Sequence, residues 1–224
     1  MSSRHALVLA DGTVEPAGDL ESAWPGWSDG IDLVIAADGG ARHAAPLGRR
    51  IDRWLGDGDS IAPADLERLA ADGVRIDRAP VDKDETDAEL AVLAAVEADP
   101  ARITILGALG GTRLDHELGN VWLLAHPGLA GREVRLLGAG SRIRLAAPGR
   151  TDLAGAVGDL VSLLPFGGDA GGITTSGLRY PLRDEPLLNG PSRGLSNVRD
   201  AADARLTHRT GRLLIVETPA RLRG

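Results

Sequence analysis

The chain has 224 residues, which is enough for one large domain or two small ones. Its formal net charge of −7 makes nucleic acid a poor candidate partner, because nonspecific nucleic-acid binding depends on Lys and Arg side chains that neutralise phosphates. The chain contains no cysteine, which excludes disulfides, thiolate zinc sites, iron–sulfur clusters and cysteine nucleophiles.

The first apolar run, Ala6–Ala10, is predicted to be a β-strand. It is too short for the apolar core of a signal peptide and far too short to cross a bilayer. Together with the lack of cysteine, which fits a reducing compartment, this run predicts a cytoplasmic protein with no membrane partner.

Up to about residue 140, strand-like apolar runs alternate with helix-like segments. This alternation predicts an α/β domain, residues 1–140, with a mostly parallel sheet and helices on both faces. Ligands of such sheets bind at the carboxyl ends of the strands. The predicted strands are Ala6–Ala10, Leu33–Ala37, Arg53–Leu55, Val74–Ile76, Ile103–Leu106 and Val134–Leu137. The predicted helices lie near Arg42–Leu47, Pro63–Asp72, Asp87–Glu97 and His116–Ala125.

Residues 141–224 have a different pattern, in which short strand-like runs are separated by turns rich in Gly and Pro. We therefore predict a smaller antiparallel β domain. Thr210-Gly211 is predicted to close a hairpin between Ala204–Arg209 and Arg212–Val216, with glycine supplying the turn. The other predicted strands are Arg142–Ala146, Leu160–Leu164, Gly177–Tyr180 and Leu213–Glu217.

Four acidic motifs follow predicted strands or begin predicted helices of the first domain. Because Mg²⁺ prefers oxygen ligands and takes carboxylates together with substrate phosphates, carboxylates on several loops of one sheet edge are suited to hold it. The neighbouring glycines and helix N-termini allow close approach of phosphate oxygens. The motifs are Asp38-Gly39-Gly40, Gly56-Asp57-Gly58-Asp59-Ser60, Asp82-Lys83-Asp84-Glu85-Thr86-Asp87 and Gly110-Gly111-Thr112-Arg113-Leu114-Asp115-His116.

Each motif also has a purely structural interpretation. Asp-Gly-Gly is a common turn, and the spacing of Asp57 and Asp59 is that of an EF-hand start without its later glutamate. Thr86 followed by Glu89 fits a helix capping box, and Asp115 fits a helix N-cap. The functional hypothesis depends on the recurrence of four motifs at the strand ends of one sheet.

Several other chemistries lack their motifs in this sequence. It contains no Gly-x-x-x-x-Gly-Lys-Ser/Thr phosphate loop, no Gly-x-Gly-x-x-Gly fingerprint after a strand and no Gly-x-Ser-x-Gly elbow. The five histidines are scattered, and none forms a metal-binding pair at helical spacing. Phosphoryl transfer, with Lys83 and Arg113 neutralising the transferred group, is the chemistry that the motifs favour.

The four motifs in this order, followed by a β-rich tail, resemble the thiamine pyrophosphokinase family over nearly the whole chain. Each motif alone is modest, but the ordered set is specific. The further matching pieces are Glu89-Leu90-Ala91, Asn120, Leu163-Leu164-Pro165, Thr174–Leu182 and Ser192–Asn197.

The resemblance implies a catalytic α/β domain, a β-sandwich domain that binds thiamine, and a homodimer whose active sites are shared between subunits. It implies Mg²⁺-dependent transfer of pyrophosphate from ATP to thiamine, with release of AMP. On this chain it implies metal ligands Asp57, Asp59 and Asp87, which with Arg113 form the catalytic set. It implies substrate-binding roles for Asp38, Gly39, Ser60, Lys83, Thr86, Asp115, His116, Asn120, Ser196 and Asn197.

The chain departs from the family pattern at three places. Gly58 stands where relatives usually have a larger apolar residue, and Thr112 is an extra residue before Arg113. The β domain contains only Phe166 and Tyr180 as aromatic residues, although the rings and positive charge of thiamine favour an aromatic surface. The four tryptophans, Trp24, Trp27, Trp54 and Trp122, lie in the first domain, where each either packs in the core or serves as that surface.

Two alternative functions remain open. One is a pyrophosphokinase for another alcohol, such as a hydroxymethylpterin. Ser196 and Asn197 in the β tail favour thiamine over such an alcohol. The other is a nucleotide- or thiamine-binding module without turnover. The carboxylates argue against such a module, because they repel a polyanion unless a metal intervenes.

Overall fold

The computed structural model describes residues 4–220. The chain forms two compact units, Met1–Ala139 and Gly140–Gly224. No helix within residues 4–220 combines the length and the apolar character that crossing a membrane requires.

The first unit contains a six-stranded parallel sheet in the order β6-β5-β1-β2-β3-β4. The chain runs outward from β1 to β4 and then returns to add β5 and β6 on the other side of β1. The carboxyl ends of β1 and β5 therefore form the topological switch point, where open α/β sheets bind ligands. The strands, which confirm all six predicted ones, are β1 (His5–Leu9), β2 (Ile31–Ala37), β3 (Arg53–Gly56), β4 (Arg75–Arg78), β5 (Arg102–Leu106) and β6 (Glu133–Leu137).

Helices cover both faces of this sheet, as predicted. Leu7 and Leu9 of β1 share a core cluster with side chains of α1 and α2. The alternate residues Ala6 and Val8 are also buried, and α3 contacts β1, β2 and β3 on that opposite face. Burial on both faces explains why these strands appear in the sequence as continuous apolar runs. The helices are α1 (Ala17–Ala23), α2 (Pro63–Ala71), α3 (Asp87–Glu97) and α4 (Leu114–Leu123).

The helix boundaries confirm some predictions and correct others. The helix predicted near Arg42–Leu47 is wrong: a 3-10 helix spans Asp38–His43, because two glycines and Pro46 disfavour a regular α-helix there. α1 was not predicted, since Leu20 is its only buried side chain among seven residues. Thr86 caps α3 as predicted, accepting a hydrogen bond from the Glu89 N–H at 3.1 Å.

α4 begins at Leu114, with Arg113 at the N-cap position. The prediction of Asp115 as an N-cap is therefore wrong, because this residue lies within the first turn of the helix. An acidic side chain in the first turn still interacts favourably with the positive end of the helix dipole.

The second unit contains two antiparallel four-stranded arrangements, β12-β9-β14-β7 and β11-β10-β13-β8. One core cluster joins them, with Leu163 and Ile215 from the first and Ile173 and Leu206 from the second, so the unit is a β-sandwich as predicted. The strands are β7 (Arg142–Ala146), β8 (Gly149–Asp152), β9 (Leu160–Pro165), β10 (Ala170–Ser176), β11 (Arg183–Leu187), β12 (Asn197–Val198), β13 (Arg205–His208) and β14 (Leu213–Thr218).

Two predictions for this unit are wrong. Gly177–Tyr180 is not a strand, and its pairing is a single bridge between Leu178 and Arg199. Thr210-Gly211 does not close a hairpin, because β13 pairs with β10 and β8 whereas β14 pairs with β7 and β9. This turn, in which Gly211 has φ +80°, instead carries the chain from one sheet to the other.

A buried polar chain at the amino end of β1 fixes the tautomer of His5. Arg135 Nε donates to Thr104 Oγ1 at 2.8 Å, so the Thr104 hydroxyl is left to donate to His5 Nε2, also at 2.8 Å. His5 Nδ1 then carries the proton and donates to the Asp29 carbonyl at 2.9 Å. Burial lowers the pKa of His5 from its ordinary 6.5, and the nearby Arg135 lowers it further.

This arrangement predicts a loss of stability in mild acid. The unfolded chain binds a proton at His5 near pH 6.5 while the folded chain does not, so the free energy of unfolding falls as pH drops below 6.5. Between pH 7.5 and 5.5, we expect the free energy of unfolding to fall less in the neutral variant His5→Gln than in the parent protein. The difference between the two proteins is at most about 1.4 kcal/mol per pH unit. Urea unfolding of both proteins at the two pH values measures this difference. Equal losses would contradict the conclusion that His5 is buried in its neutral form.

Candidate active site

Three carboxylates meet at the carboxyl end of the parallel sheet. Asp38 directly follows β2, and Asp57 and Asp59 follow β3. One oxygen from each of the three lies within 4.8 Å of the others. Gly56 at the end of β3 permits this approach, because a Cβ at that position would lie only 2.8 Å from the Cβ of Asp38.

Asp38 is the buried member of the group, with 3% of its surface exposed. Its Oδ2 accepts a hydrogen bond from the Ser60 N–H at 3.1 Å, whereas its Oδ1 is buried without a hydrogen-bond partner among the described residues. Burial raises the pKa of Asp38 to about 6, even though the bond from Ser60 opposes the rise. A carboxylate oxygen buried in this way fits a cation-binding role.

Asp59 is exposed, and its pKa is shifted in the direction opposite to that of Asp38. The Ser60 hydroxyl donates to its Oδ1 at 2.7 Å, and this bond, with hydrogen bonding to Asp38, lowers the pKa of Asp59. Asp57 Oδ1 accepts the Asp59 N–H at 3.1 Å, which shapes the loop. Gly58 between them has φ +88°, a conformation that a larger apolar residue would adopt only with strain.

Lys83 links the second and third acidic motifs. Its Nζ lies 3.4 Å from Asp57 Oδ2 and 3.1 Å from Asp87 Oδ1, and only 11% of its side chain is exposed. Although burial opposes the charged form, the carboxylates of Asp87 and Asp57 raise the pKa of Lys83. The ligands implied by the resemblance were Asp57, Asp59 and Asp87; the structure groups Asp38 with the first two and places Asp87 against Lys83.

A cleft of about 440 Å³ opens above these groups. Its walls come from the loops after β1, β2, β3, β4 and β5 and from the amino-terminal halves of α3 and α4. Gly39 and Asp115, also predicted as site residues, line neighbouring cavities instead. The sequence-predicted residues that line the cleft are Asp38, Asp57, Asp59, Ser60, Lys83, Thr86, Asp87, Arg113, His116 and Asn120.

Four residues of the fourth motif, Gly111, Thr112, Arg113 and His116, line the cleft. Arg113 Nε donates to Asp115 Oδ1 at 3.2 Å. This pairing raises the pKa of Arg113 and lowers that of Asp115. Asn120 Nδ2 donates to the Ala108 carbonyl at 2.9 Å, which ties α4 to the loop after β5.

One lining segment, Asp11-Gly12 after β1, was not identified from the sequence. Asp11 forms an ion pair with Arg42, whose Nη1 also donates to the Gly39 carbonyl at 3.1 Å. The sequence contained a usable pattern, because Asp11-Gly12 follows a buried strand in the same way as Asp38-Gly39.

In the second unit, Asn197 is occupied with the backbone of Tyr180. Its Oδ1 accepts the Tyr180 N–H at 3.0 Å, and its Nδ2 donates to the Tyr180 carbonyl at 2.7 Å. The Ser196 N–H donates to Ser162 Oγ at 3.0 Å, and Ser196 has φ +57°. These bonds present Tyr180 on the surface, with 64% of the residue exposed.

Comparison with known proteins identifies one family. The family description "thiamin pyrophosphokinase, catalytic domain" matches residues 27–136, and "thiamin pyrophosphokinase, vitamin B1 binding domain" matches residues 150–213. The thiamine pyrophosphokinase of Bacillus subtilis is 32% identical over 175 residues, which cover 77% of this chain and 80% of that protein. Thiamine pyrophosphokinase 1 of Oryza sativa subsp. japonica is 30% identical over 204 residues, which cover 80% and 76%. The crystal structure of the Bacillus subtilis protein superposes with a TM-score of 0.82 at 29% identity, covering 96% of this chain and 99% of that one.

The position of Asp38 depends on the lack of a side chain at Gly40. A Cβ at Gly40 would lie 2.2 Å from the Leu9 carbonyl oxygen, so Gly40→Ala must displace the 3-10 helix from β1. We expect Gly40→Ala to lower the free energy of unfolding by about 1–3 kcal/mol. Chemical denaturation measures the loss.

Gly18→Ala is the matched control. Gly18 lies in α1, where an added Cβ meets nothing within 4 Å, and alanine favours a helix by up to about 1 kcal/mol. If Gly40→Ala, like Gly18→Ala, loses no stability relative to the parent protein, the close approach of Gly40 to β1 is not a constraint on the site.

Proposed function

The chain belongs to the thiamine pyrophosphokinase family, and we propose that it transfers a pyrophosphoryl group from ATP to thiamine, giving thiamine diphosphate and AMP. The observation that carries this proposal is the group of Asp38, Asp57 and Asp59 with Lys83 beside it in one cleft. Carboxylates alone would repel a triphosphate, so the site needs cations to bind one.

The residues of the cleft fit Mg²⁺. The three carboxylates have oxygens within 4.8 Å of one another, and these are the hard oxygen ligands that this ion prefers. One of the carboxylates, Asp38, has a buried oxygen without a hydrogen-bond partner among residues 4–220. We propose Asp57 and Asp59 as ligands, with Asp38 beside them. Asp87 is a further proposed ligand, because its present partner Lys83 would be drawn to the phosphates.

The first unit is proposed to be the nucleotide-binding catalytic domain. When bound, Mg²⁺ supplies positive charge that stabilises the phosphate oxygens of ATP in the transition state. Lys83 and Arg113, which both line the cleft, are proposed to neutralise the phosphates. Asp115, paired with Arg113, orients that guanidinium and is a positioning residue.

Other lining groups are proposed to bind the substrates. Ser60 offers a hydroxyl in the loop after β3, and Thr86 offers one at the cap of α3. Gly39 lines a neighbouring cavity rather than the cleft, and its backbone lies close to Ser60. His116 and Asn120 line the cleft from α4. The thiamine hydroxyl attacks the β-phosphorus in line, AMP leaves, and the attacking oxygen loses its proton to a nearby base. Catalysis then depends mainly on position and electrostatics.

The second unit is proposed to be the thiamine-binding domain. Ser196 and Asn197 are its proposed contact residues. The Asn197 amide also holds the backbone of Tyr180. Asn197 is therefore proposed to act on thiamine binding partly through the exposed Tyr180 ring, which offers the π face that a thiazolium favours.

We further propose that the protein is a homodimer with shared active sites and that it acts in the cytoplasm. The family resemblance supports the dimer. The use of ATP and Mg²⁺ supports the location.

The test is an assay of AMP release from ATP and Mg²⁺ with candidate acceptor alcohols, with product identification by mass spectrometry. We expect stoichiometric AMP and thiamine diphosphate with thiamine. AMP formation with a hydroxymethylpterin but not with thiamine would replace the proposed acceptor. Calorimetric thiamine binding without any AMP would replace the enzyme with a binding module.

Asp59→Asn provides the site-directed control for this assay. Because Asp59 is exposed and follows β3, its loss is expected to abolish turnover at saturating Mg²⁺ without unfolding the protein. Asp203→Asn, an exposed aspartate of the second unit outside the cleft, is expected to keep full activity. Full activity of Asp59→Asn would contradict the proposed site.

A further inference from the structure

One arginine beside the acidic cleft has no carboxylate partner. Arg78 is the last residue of β4, and its guanidinium forms no ion pair or hydrogen bond with any of residues 4–220. It is therefore a free positive charge next to a group of carboxylates. Four other arginines in β3, in β4 and beside the cleft are each paired with an acidic side chain: Arg42 with Asp11, Arg53 and Arg75 with Asp77, and Arg113 with Asp115.

The backbone of Arg78 is fixed next to the loop that carries Asp57 and Asp59. In the pairing of β3 with β4, Arg78 lies opposite Gly56, and the N–H of the following Ala79 donates to the Gly56 carbonyl at 2.8 Å. Because Asp57 directly follows Gly56, the end of β4 lies alongside the first residues of this loop. Main-chain hydrogen bonding thus places the arginine, and its side chain needs no partner to stay there.

The guanidinium of Arg78 lies against Gly58, the residue between the two aspartates. Its Nη1 is 3.2 Å from the point that a Cβ on Gly58 would occupy. Only glycine leaves this space to the guanidinium, and the φ of +88° at Gly58 also favours glycine. The oxygens of Asp57 are occupied elsewhere, because they accept from the Asp59 N–H and from Lys83 Nζ.

We propose that Arg78 is a phosphate-binding residue for the nucleotide, and that its guanidinium closes on the phosphates once they reach the Asp57–Asp59 loop. Phosphates that accompany a cation on these carboxylates arrive at the same loop, and a guanidinium donates two parallel hydrogen bonds to a phosphate. Arg78 is exposed and does not line the cleft, so its long side chain turns inward from the end of β4. This inference rests on the proposed function, because it concerns the phosphate donor of that reaction.

The free state of Arg78 distinguishes it from the other two cations proposed to meet the phosphates. Lys83 and Arg113 line the cleft, but each is already paired with aspartate side chains. Each exchanges a carboxylate for a phosphate when the nucleotide binds. Arg78 gives up no ion pair, so its contact with a phosphate is opposed only by the loss of water and of side-chain freedom.

The experiment measures the binding of a non-hydrolysable ATP analogue with Mg²⁺ to the parent protein and its variants by titration calorimetry. We expect Arg78→Gln to raise the Kd of the analogue about tenfold. Arg78→Lys is expected to restore part of the loss, because an ammonium keeps the charge without the paired donors. In turnover, Arg78→Gln is expected to raise KM for ATP by a similar factor with kcat and KM for thiamine unchanged, because the contact is made to the bound nucleotide before and during the reaction.

Mn²⁺ binding to the nucleotide-free protein separates this role from a structural one. If Arg78 only held the loop in place, its loss would weaken the metal site. As a phosphate ligand, its replacement in Arg78→Gln removes a positive charge and leaves Mn²⁺ binding unchanged or tighter, which electron paramagnetic resonance of free Mn²⁺ measures. Arg75→Gln is the matched control, because Arg75 lies on the same strand roughly 10 Å away and is paired with Asp77. This control is expected to keep the Kd of the parent protein.

Three results would overturn the inference while leaving the proposed function intact: an unchanged Kd for the analogue in Arg78→Gln, an equal rise in Arg75→Gln, or weaker Mn²⁺ binding in Arg78→Gln. A parent protein that binds the analogue but makes no thiamine diphosphate would contradict the proposed function, and the Kd values would still decide the role of Arg78. A parent protein that does not bind the analogue would overturn both.

Discussion

Electrostatic repulsion among Asp38, Asp57 and Asp59 is the constraint on which the first unit depends. Three carboxylates with oxygens within 4.8 Å are unfavourable unless some of their charge is offset or some protons are retained. Both effects are present: burial, with the neighbouring Asp59 and Asp87, raises the pKa of Asp38 to about 6, and Lys83 lies against Asp57. Such an arrangement contributes little to stability by itself, which supports the proposal that it binds a cation and the phosphates that accompany it.

The fold makes this crowding possible through backbone rather than side-chain contacts. β2 and β3 are adjacent and parallel, so their carboxyl ends deliver Asp38 and the Asp57 loop to one place. Small residues let the segments approach, with Gly56 against Asp38 and Gly40 against the Leu9 carbonyl. The order of strands places β1 and β5 at the switch point, so the loops that follow them form the remaining walls of the cleft.

The sequence was most informative where burial alone determines structure. Each parallel strand is covered on both faces, so its residues form an apolar run with an obvious beginning and end. The acidic motifs that follow these apolar runs were therefore predicted to meet at one edge of the sheet. Lys83 and Thr86 belong to one of these motifs and were predicted to lie there for the same reason. Sequence order could not identify Asp38 rather than Asp87 as the third member of the carboxylate group, because that choice depends on which loop Lys83 contacts.

The second unit was harder to predict for a physical reason. In an antiparallel sandwich, a strand can pair with a sequence neighbour or cross to the other sheet, and the local pattern is the same in both cases. Thr210-Gly211 has hairpin chemistry yet joins the two sheets, and Gly177–Tyr180 is apolar enough for a strand yet forms a turn held by Asn197. Asp11-Gly12 was missed for no such reason, because it follows a buried strand as Asp38-Gly39 does.

The central claim is that Asp38, Asp57 and Asp59 form a divalent-metal site for a nucleotide. The most direct measurement is anomalous X-ray diffraction from crystals grown with Mn²⁺ and a non-hydrolysable ATP analogue. The account predicts an anomalous peak at about 2.0–2.3 Å from carboxylate oxygens of this group, with phosphate oxygens completing the coordination. Bound nucleotide with no peak among these three residues, or with the metal held elsewhere, would contradict it.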